Sequence, residues 1–199
     1  MISGVKTTLS AGLYSLAVAS VLAAGGARSD QGWGVEALMH DLASSGQPPL
    51  HFTETRHSAF LDIPVVSHGM LRLLPDGTLE KERQAPFFER FSVDRTHARL
   101  DTAERTQTLP LADLPALRSL IEGLRALFRG DLPALSGLFD IQLNGVQEGW
   151  QLRLEPRDPA LAPAVEHLLV SGDGAHIVEV ETLERDGDSS RLELTYPPR

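Results

Sequence analysis

Three of the chain's seven histidines fall in one stretch, LHFTETRHSAFLDIPVVSHGMLRLL, from Leu50 to Leu74. Histidine is a common metal ligand and titrates near neutral pH, so His51, His57 and His68 are the first residues to weigh. His51 and His57 share parity and lie six residues apart, roughly 20 Å along a strand, too far to hold one metal. If the strand of the 50s pairs with the strand of the 60s across Pro64, His57 and His68 become cross-strand neighbours. Two ligands fall short of the three or four that zinc takes, and no carboxylate stands obviously beside them. The spacing predicts no metal or acid–base site, only two partly exposed histidines near a hairpin end.

Other catalytic signatures are missing. The sequence holds no G-x-S-x-G, no H-E-x-x-H and no Gly-rich phosphate loop. The acidic run Glu179, Glu181, Glu184, Asp186 and Asp188 reads as the solvated side of a hairpin, and RDGDSS lacks the closing Glu of a calcium loop. Cysteine is absent, which removes thiolate nucleophiles, thiolate metal sites, disulfides and acylation of a lipobox cysteine. The expectation is a non-enzymatic protein with no catalytic residues, no metal and no cofactor.

The chain has 199 residues, 42% hydrophobic and 23% charged, with a formal net charge of −9. That length and composition suit one domain with a sizeable core. An acidic chain with no basic run lacks the clustered Lys and Arg that phosphate contacts need, so nucleic acid is not an expected partner. Residues 1–27 differ from the rest. Lys6 precedes an uncharged, mostly apolar run of about 14 residues from Ala11 to Ala24, shorter than the ~20 needed to span a bilayer. Small residues follow up to Ala27. This is the layout of a secretory signal peptide cleaved between about Ala23 and Ala27. It leaves 28–199 as a single soluble domain, expected in the periplasm and expected to be a monomer.

The elements that must position any site follow from periodicity. Val35, Leu38, Met39 and Leu42 mark one face of a helix, ended by Gly46 and the prolines Pro48 and Pro49. From Leu50 the period changes to two. Five strands follow, near residues 50–57, 65–74, 78–83, 88–93 and 98–102, with Pro75-Asp76-Gly77 as a turn. Asp113 is a plausible N-cap and Pro115 a first-turn residue for a helix with an apolar stripe at Leu117, Leu120, Ile121, Leu124, Leu127 and Phe128. Gly130 ends that helix and Asp131 caps a shorter one. Strands then return near 141–143, 150–155, 167–170, 177–183 and 191–196. A sheet of this length tends to curl, and the helices must lay their stripes on something. The predicted fold is α+β: a strongly curved antiparallel β-sheet, a half-barrel of about 9–11 strands, with helices covering its concave face.

The order of local phrases resembles a known family. VEALMHDLAS followed by HFTETR is similar to the opening helix and F-T-Q-T type strand of the LolA-like proteins, the periplasmic outer-membrane lipoprotein carriers. HGMLRLLPDGTLEKERQAP resembles their G-x-L strand pair. FDIQLNGVQEGWQLRLEPRDP resembles their strand, Asn-Gly turn, strand and Pro. GDGAHIVEVETLERDGDSSRLEL resembles their final hairpin. Together these phrases span most of residues 33–196. Leu74 stands where the family usually has a basic residue before Pro, with Arg72 two positions earlier, and Arg83 to Pro110 is short. The chain is thus similar to a divergent branch, some members of which are associated with export of other acylated molecules such as glycolipids.

The resemblance implies a periplasmic carrier. It would shield the acyl chains of a lipoprotein, glycolipid or other lipid in a hydrophobic cavity, taking them from an inner-membrane exporter to an outer-membrane acceptor. The helix from Leu114 to Phe128 would be its lid, and the expected lining is Phe52, Leu71, Leu73, Phe91, Leu117, Leu120, Ile121, Leu124 and Trp150. The alternative is a binding or sensor module of the same fold that contacts a membrane-protein partner and carries nothing.

Overall fold

A computed structural model describes residues 33–46, 48–59 and 63–197. The expected leader lies outside them. The element order is α1 (Val35–Ser45), β1 (Leu50–His57), β2 (Val65–Leu73), β3 (Leu79–Ala85), β4 (Glu89–Val93), β5 (His97–Thr102), β6 (Thr106–Pro110), a single 3-10 turn (Leu111–Asp113), α2 (Pro115–Arg129), α3 (Leu132–Leu138), β7 (Phe139–Val146), β8 (Gly149–Pro156), β9 (Val165–Asp173), β10 (His176–Glu184) and β11 (Ser189–Thr195). All eleven strands form one antiparallel sheet in the order β6-β5-β4-β3-β2-β1-β11-β10-β9-β8-β7. It is two meanders joined by the ladder between β1 and β11, where His51 faces Thr195 and His57 faces Ser189. The outer strands β6 and β7 do not pair with each other, so the sheet stays open.

The α+β architecture and the helices on the concave face agree with the sequence pattern, and the differences have local causes. β6 has no apolar alternation because all five of its residues are exposed at a sheet edge. Asp113 does not cap α2. Proline disfavours helical geometry in the residue before it, so the helix opens at Pro115 with Leu114 in the cap position and no side-chain cap, while Asp113 closes the 3-10 turn. Asp131 does cap α3, accepting the N–H of Ala134. Asn144 and Gly145 do not form the β7–β8 reversal. They lie in the ladder opposite Gln151 and Trp150, and the chain turns two residues later.

The helices anchor to the sheet unevenly. α1 buries Leu38, Met39 and Leu42 completely. α2 buries Ile121, Ala126, Leu127 and Phe128, while Leu117, Leu120 and Leu124 are only partly buried. Gly123 lets α2 sit directly on Phe139, whose ring atom would stand 2.4 Å from a Cβ there. At the end of α2, Gly130 adopts φ 65°, and a Cβ on it would collide with the carbonyl of Met39 in α1. A left-handed residue closing a helix favours glycine for this reason.

Candidate functional site

Leu71, Leu79 and Phe91 project from β2, β3 and β4, and Leu168, Val180 and Leu192 from β9, β10 and β11. On a flat sheet β4 and β9 would stand roughly 29 Å apart at the usual strand spacing. Here they line one hollow with α2, so the sheet curls around it. The helix contributes Leu117, Leu120, Ile121, Leu124 and Phe128. The hollow has a volume of about 420 Å³ and a mostly apolar wall, within the range of small-molecule pockets.

Six of the nine residues expected to line a cavity meet here: Leu71, Phe91, Leu117, Leu120, Ile121 and Leu124. The other three stand elsewhere. Phe52 lies opposite Gly69, and Trp150 opposite Gly172. A Cβ on Gly69 would meet the Phe52 ring at 2.9 Å, and one on Gly172 would meet the Trp150 ring at 2.1 Å. Each aromatic ring lies down across its cross-strand glycine instead of reaching into the hollow. Trp150 is fixed further by its Nε1–H, which donates to the Gly174 carbonyl at 2.9 Å. Leu73 packs in a small adjoining gap with Pro48, Leu50 and Phe128.

The end of the hollow nearest the β1–β2 hairpin is charged, and sequence reasoning did not find this. Glu54 and Arg56 follow Phe52 at every second position on the inner face of β1 and reach the wall together with Lys81 and Glu184. Lys81 Nζ lies 2.6 Å from Glu54 and 5.0 Å from the centre of the Phe52 ring. Arg56 pairs with Glu184 at 3.1 Å. Ser67, itself buried, donates its hydroxyl to Glu54 at 3.3 Å. The partners are far apart in sequence, and only the strand register brings them together.

One arginine holds the helix over the hollow. Arg125 on α2 donates from Nη2 to the carbonyls of Val93 and Asp94, the latter at 3.0 Å. Its burial, with Arg129 beside it, pulls the guanidinium below its ordinary pKa. The β4–β5 turn that it grips is ordered by Asp94, whose carboxylate accepts the backbone N–H groups of Thr96 and His97 and is held below the ordinary carboxylate range by them.

The histidines take other places. The β1–β2 register sets His68 opposite Thr53, with Nδ1 3.1 Å from the Thr53 hydroxyl, so His57 and His68 are not neighbours as expected. The residue that would face His57 in that register is Pro64, which has no N–H to donate, and the ladder stops at Arg56. His57 instead borders a polar groove of about 610 Å³ on the outer face, with His167, Glu181, Arg191 and Glu193. Among the described residues no group of three or more His, Cys, Asp or Glu side chains is placed to hold a metal ion. Nor is any described helix long and apolar enough to cross a membrane. Ile63, Val65, Val66, Phe87 and Phe88 are exposed apolar residues on the β1–β2 and β3–β4 hairpins, at the charged end of the hollow.

An open antiparallel sheet curled around an apolar hollow beneath a helix defines a class of proteins, the half-barrels with a helix-covered internal cavity. The sequence matches the family described as outer membrane lipoprotein carrier protein LolA-like over residues 24–196, and the chain belongs to that family. Solved structures similar to it include the LolA superfamily protein of Nitrosomonas europaea, at 6% identity and TM-score 0.46, covering 81% of this chain and 91% of that one. The Mycobacterium tuberculosis lipoprotein LppX is similar at 14% identity and TM-score 0.43, covering 83% and 97%. The Pseudomonas aeruginosa MucA/MucB complex follows at 12% identity and TM-score 0.42, covering 83% and 58%. No curated protein matches the chain.

Proposed function

We propose that this protein is a periplasmic, non-enzymatic carrier that shields acyl chains of a lipoprotein or lipid on the way to the outer membrane. The observation that carries the proposal is the apolar hollow between the curled sheet and the partly buried face of α2. Moving an acyl chain through water costs about 0.8 kcal/mol per CH₂, roughly 10 kcal/mol for a dozen, and an apolar wall offsets that cost without covalent chemistry. Loading is a reversible partition of the chain into the hollow, with α2 as the lid, and needs no cofactor. The cargo would come from an inner-membrane exporter and pass to an outer-membrane acceptor. The test is native mass spectrometry of protein purified without detergent, followed by lipid extraction and displacement of a fluorescent fatty acid. A co-purified acyl species that the probe displaces is the expected result, and an empty protein that refuses the probe would sink carriage.

A second function, a module that binds a membrane-protein partner and carries nothing, draws support from the exposed apolar residues at the two hairpin ends, Phe87 and Ile63 foremost. Exposed apolar clusters of this kind favour contact with another surface. An empty protein that still co-purifies with a membrane protein, and loses it on Phe87→Ser, would favour this function over carriage.

A further inference from the structure

We infer that the charged end of the hollow is a head-group site and that it selects a zwitterionic amphiphile, one bearing a phosphate and an ammonium, over anionic or uncharged ones. This rests on the hollow being an acyl site, and it adds a cargo class.

The four charged side chains there are two cations and two carboxylates, Arg56 and Lys81 against Glu54 and Glu184. Glu54 and Arg56 lie two residues apart on one face of β1, so opposite charges alternate over roughly 7 Å. The outer face carries ion pairs as well, Arg72 with Glu80, Arg90 with Glu82 and Arg99 with Asp101, and the Arg72–Glu80 side chains are as well covered as those of Glu54 and Lys81. What sets the Glu54–Lys81 pair apart is not its exposure, 17% and 29%, but its place on the apolar wall of the hollow. Taking charges out of water beside hydrocarbon is costly, and apolar replacements often serve stability as well or better. The surroundings also position Glu54. Ser67 is one of only two buried polar side chains among the described residues, and it donates to that carboxylate. Lys81 in turn is steadied over the Phe52 ring.

An acyl chain lying along Leu117, Leu120 and Leu124 brings its head to this end. A phosphate there meets Lys81 and Arg56, and an ammonium meets Glu54 and Glu184, so both pairs exchange partners with no net charge left over. An anionic head gains the cations but must face both carboxylates. An uncharged head leaves the pairs closed and gains little.

The experiment uses the whole protein and three single-chain amphiphiles of equal acyl length: lysophosphatidylethanolamine, lysophosphatidic acid and a monoacylglycerol. Each displaces the fluorescent fatty acid in a titration. The expected result is displacement by lysophosphatidylethanolamine at about tenfold lower concentration than by either of the others, the scale of one charge-assisted hydrogen bond. Combining Glu54→Gln with Lys81→Met should remove most of the preference for lysophosphatidylethanolamine over the monoacylglycerol, leaving the part that Arg56 and Glu184 supply. Equal displacement by all three, or preference for lysophosphatidic acid, overturns the head-group site and leaves the acyl hollow standing. Failure of all three together with failure of the probe to bind removes the hollow as a lipid site and the inference with it. If the double variant does not fold, the panel on the unaltered protein decides alone.

Discussion

α1 and α2 have similar apolar stripes and lie over the same core, yet they are held differently. Leu38, Met39 and Leu42 of α1 are 0%, 2% and 1% exposed, and the helix is further joined to the β7–β8 turn by Asp41, which accepts from Gln147 at 3.1 Å. α2 splits its stripe. Leu127 is core, Ile121 and Phe128 are buried where the core meets the hollow, and Leu117, Leu120 and Leu124 face the hollow and are only partly covered. Burial of one side is enough to keep a helix, so the other side is free to face a ligand. Apolar periodicity alone does not distinguish a helix that completes a core from one that roofs a cavity.

The contrast breaks most visibly under substitution. Leu42→Ala in α1 should cost about 2–5 kcal/mol and lower the melting temperature by roughly 5–15 °C, with the fluorescent fatty acid still bound by the folded fraction. Leu120→Glu in α2 should do the reverse, shifting melting by a few degrees while weakening probe binding by at least about tenfold. Thermal melts with probe titrations on both variants decide, and a Leu120→Glu protein that melts as early as Leu42→Ala would make α2 an ordinary core helix.

A finer test addresses how α2 is fastened. Arg125→Met removes the donors to the Val93 and Asp94 carbonyls, a loss of about 1.5–3 kcal/mol for a charged hydrogen bond. The fold should survive with a lower melting temperature, and stopped-flow exchange of the probe should quicken in both directions with little change in Kd. Unaltered exchange rates would mean that this arginine does not hold the lid.

The smallest effect should come from acid. The Asp94 carboxyl is depressed in the fold by the N–H groups of Thr96 and His97, so its contribution is fully present above its ordinary value. It is lost as the pH falls from about 4 through the lower folded value. Probe exchange should therefore be flat between about pH 5 and 8, quicken only below about pH 4, and show less of that acid response in Asp94→Asn. A pH series of the same stopped-flow measurement checks this.

Much of the fold was legible because its elements carry clear periods and punctuation. The i, i+3, i+4, i+7 spacing in α1, the stripe in α2 bounded by Pro115 and Gly130, and the Asp-Gly turns each follow from local chemistry. β6 was not, since an edge strand exposed on both faces needs no apolar alternation. The helix side of the hollow followed from the α2 stripe. Phe52 and Trp150 have the composition of a cavity wall, and the residues that turn them aside, Gly69 and Gly172, act from the next strand. A glycine inside a strand pattern was the available signal. The charged end was hidden more deeply, because Glu54 meets Lys81, and Arg56 meets Glu184, only through strand pairing.

The ladder between β1 and β11 has a consequence for how the molecule comes to exist. Every other ladder joins strands adjacent in sequence, through a hairpin or a short connection, whereas this one joins the first described strand to the last. Contacts that close so long a loop form late and slowly. The two meanders, β1 to β6 and β7 to β11, have local ladders to nucleate on, and joining them is the step that completes the curl. Until Ser189–Thr195 has been synthesised and has found β1, the inner apolar face stays open along that seam, exposed to any chaperone or to aggregation. The last strand therefore sets the moment at which the chain stops being a sticky half-sheet and can hold anything at all.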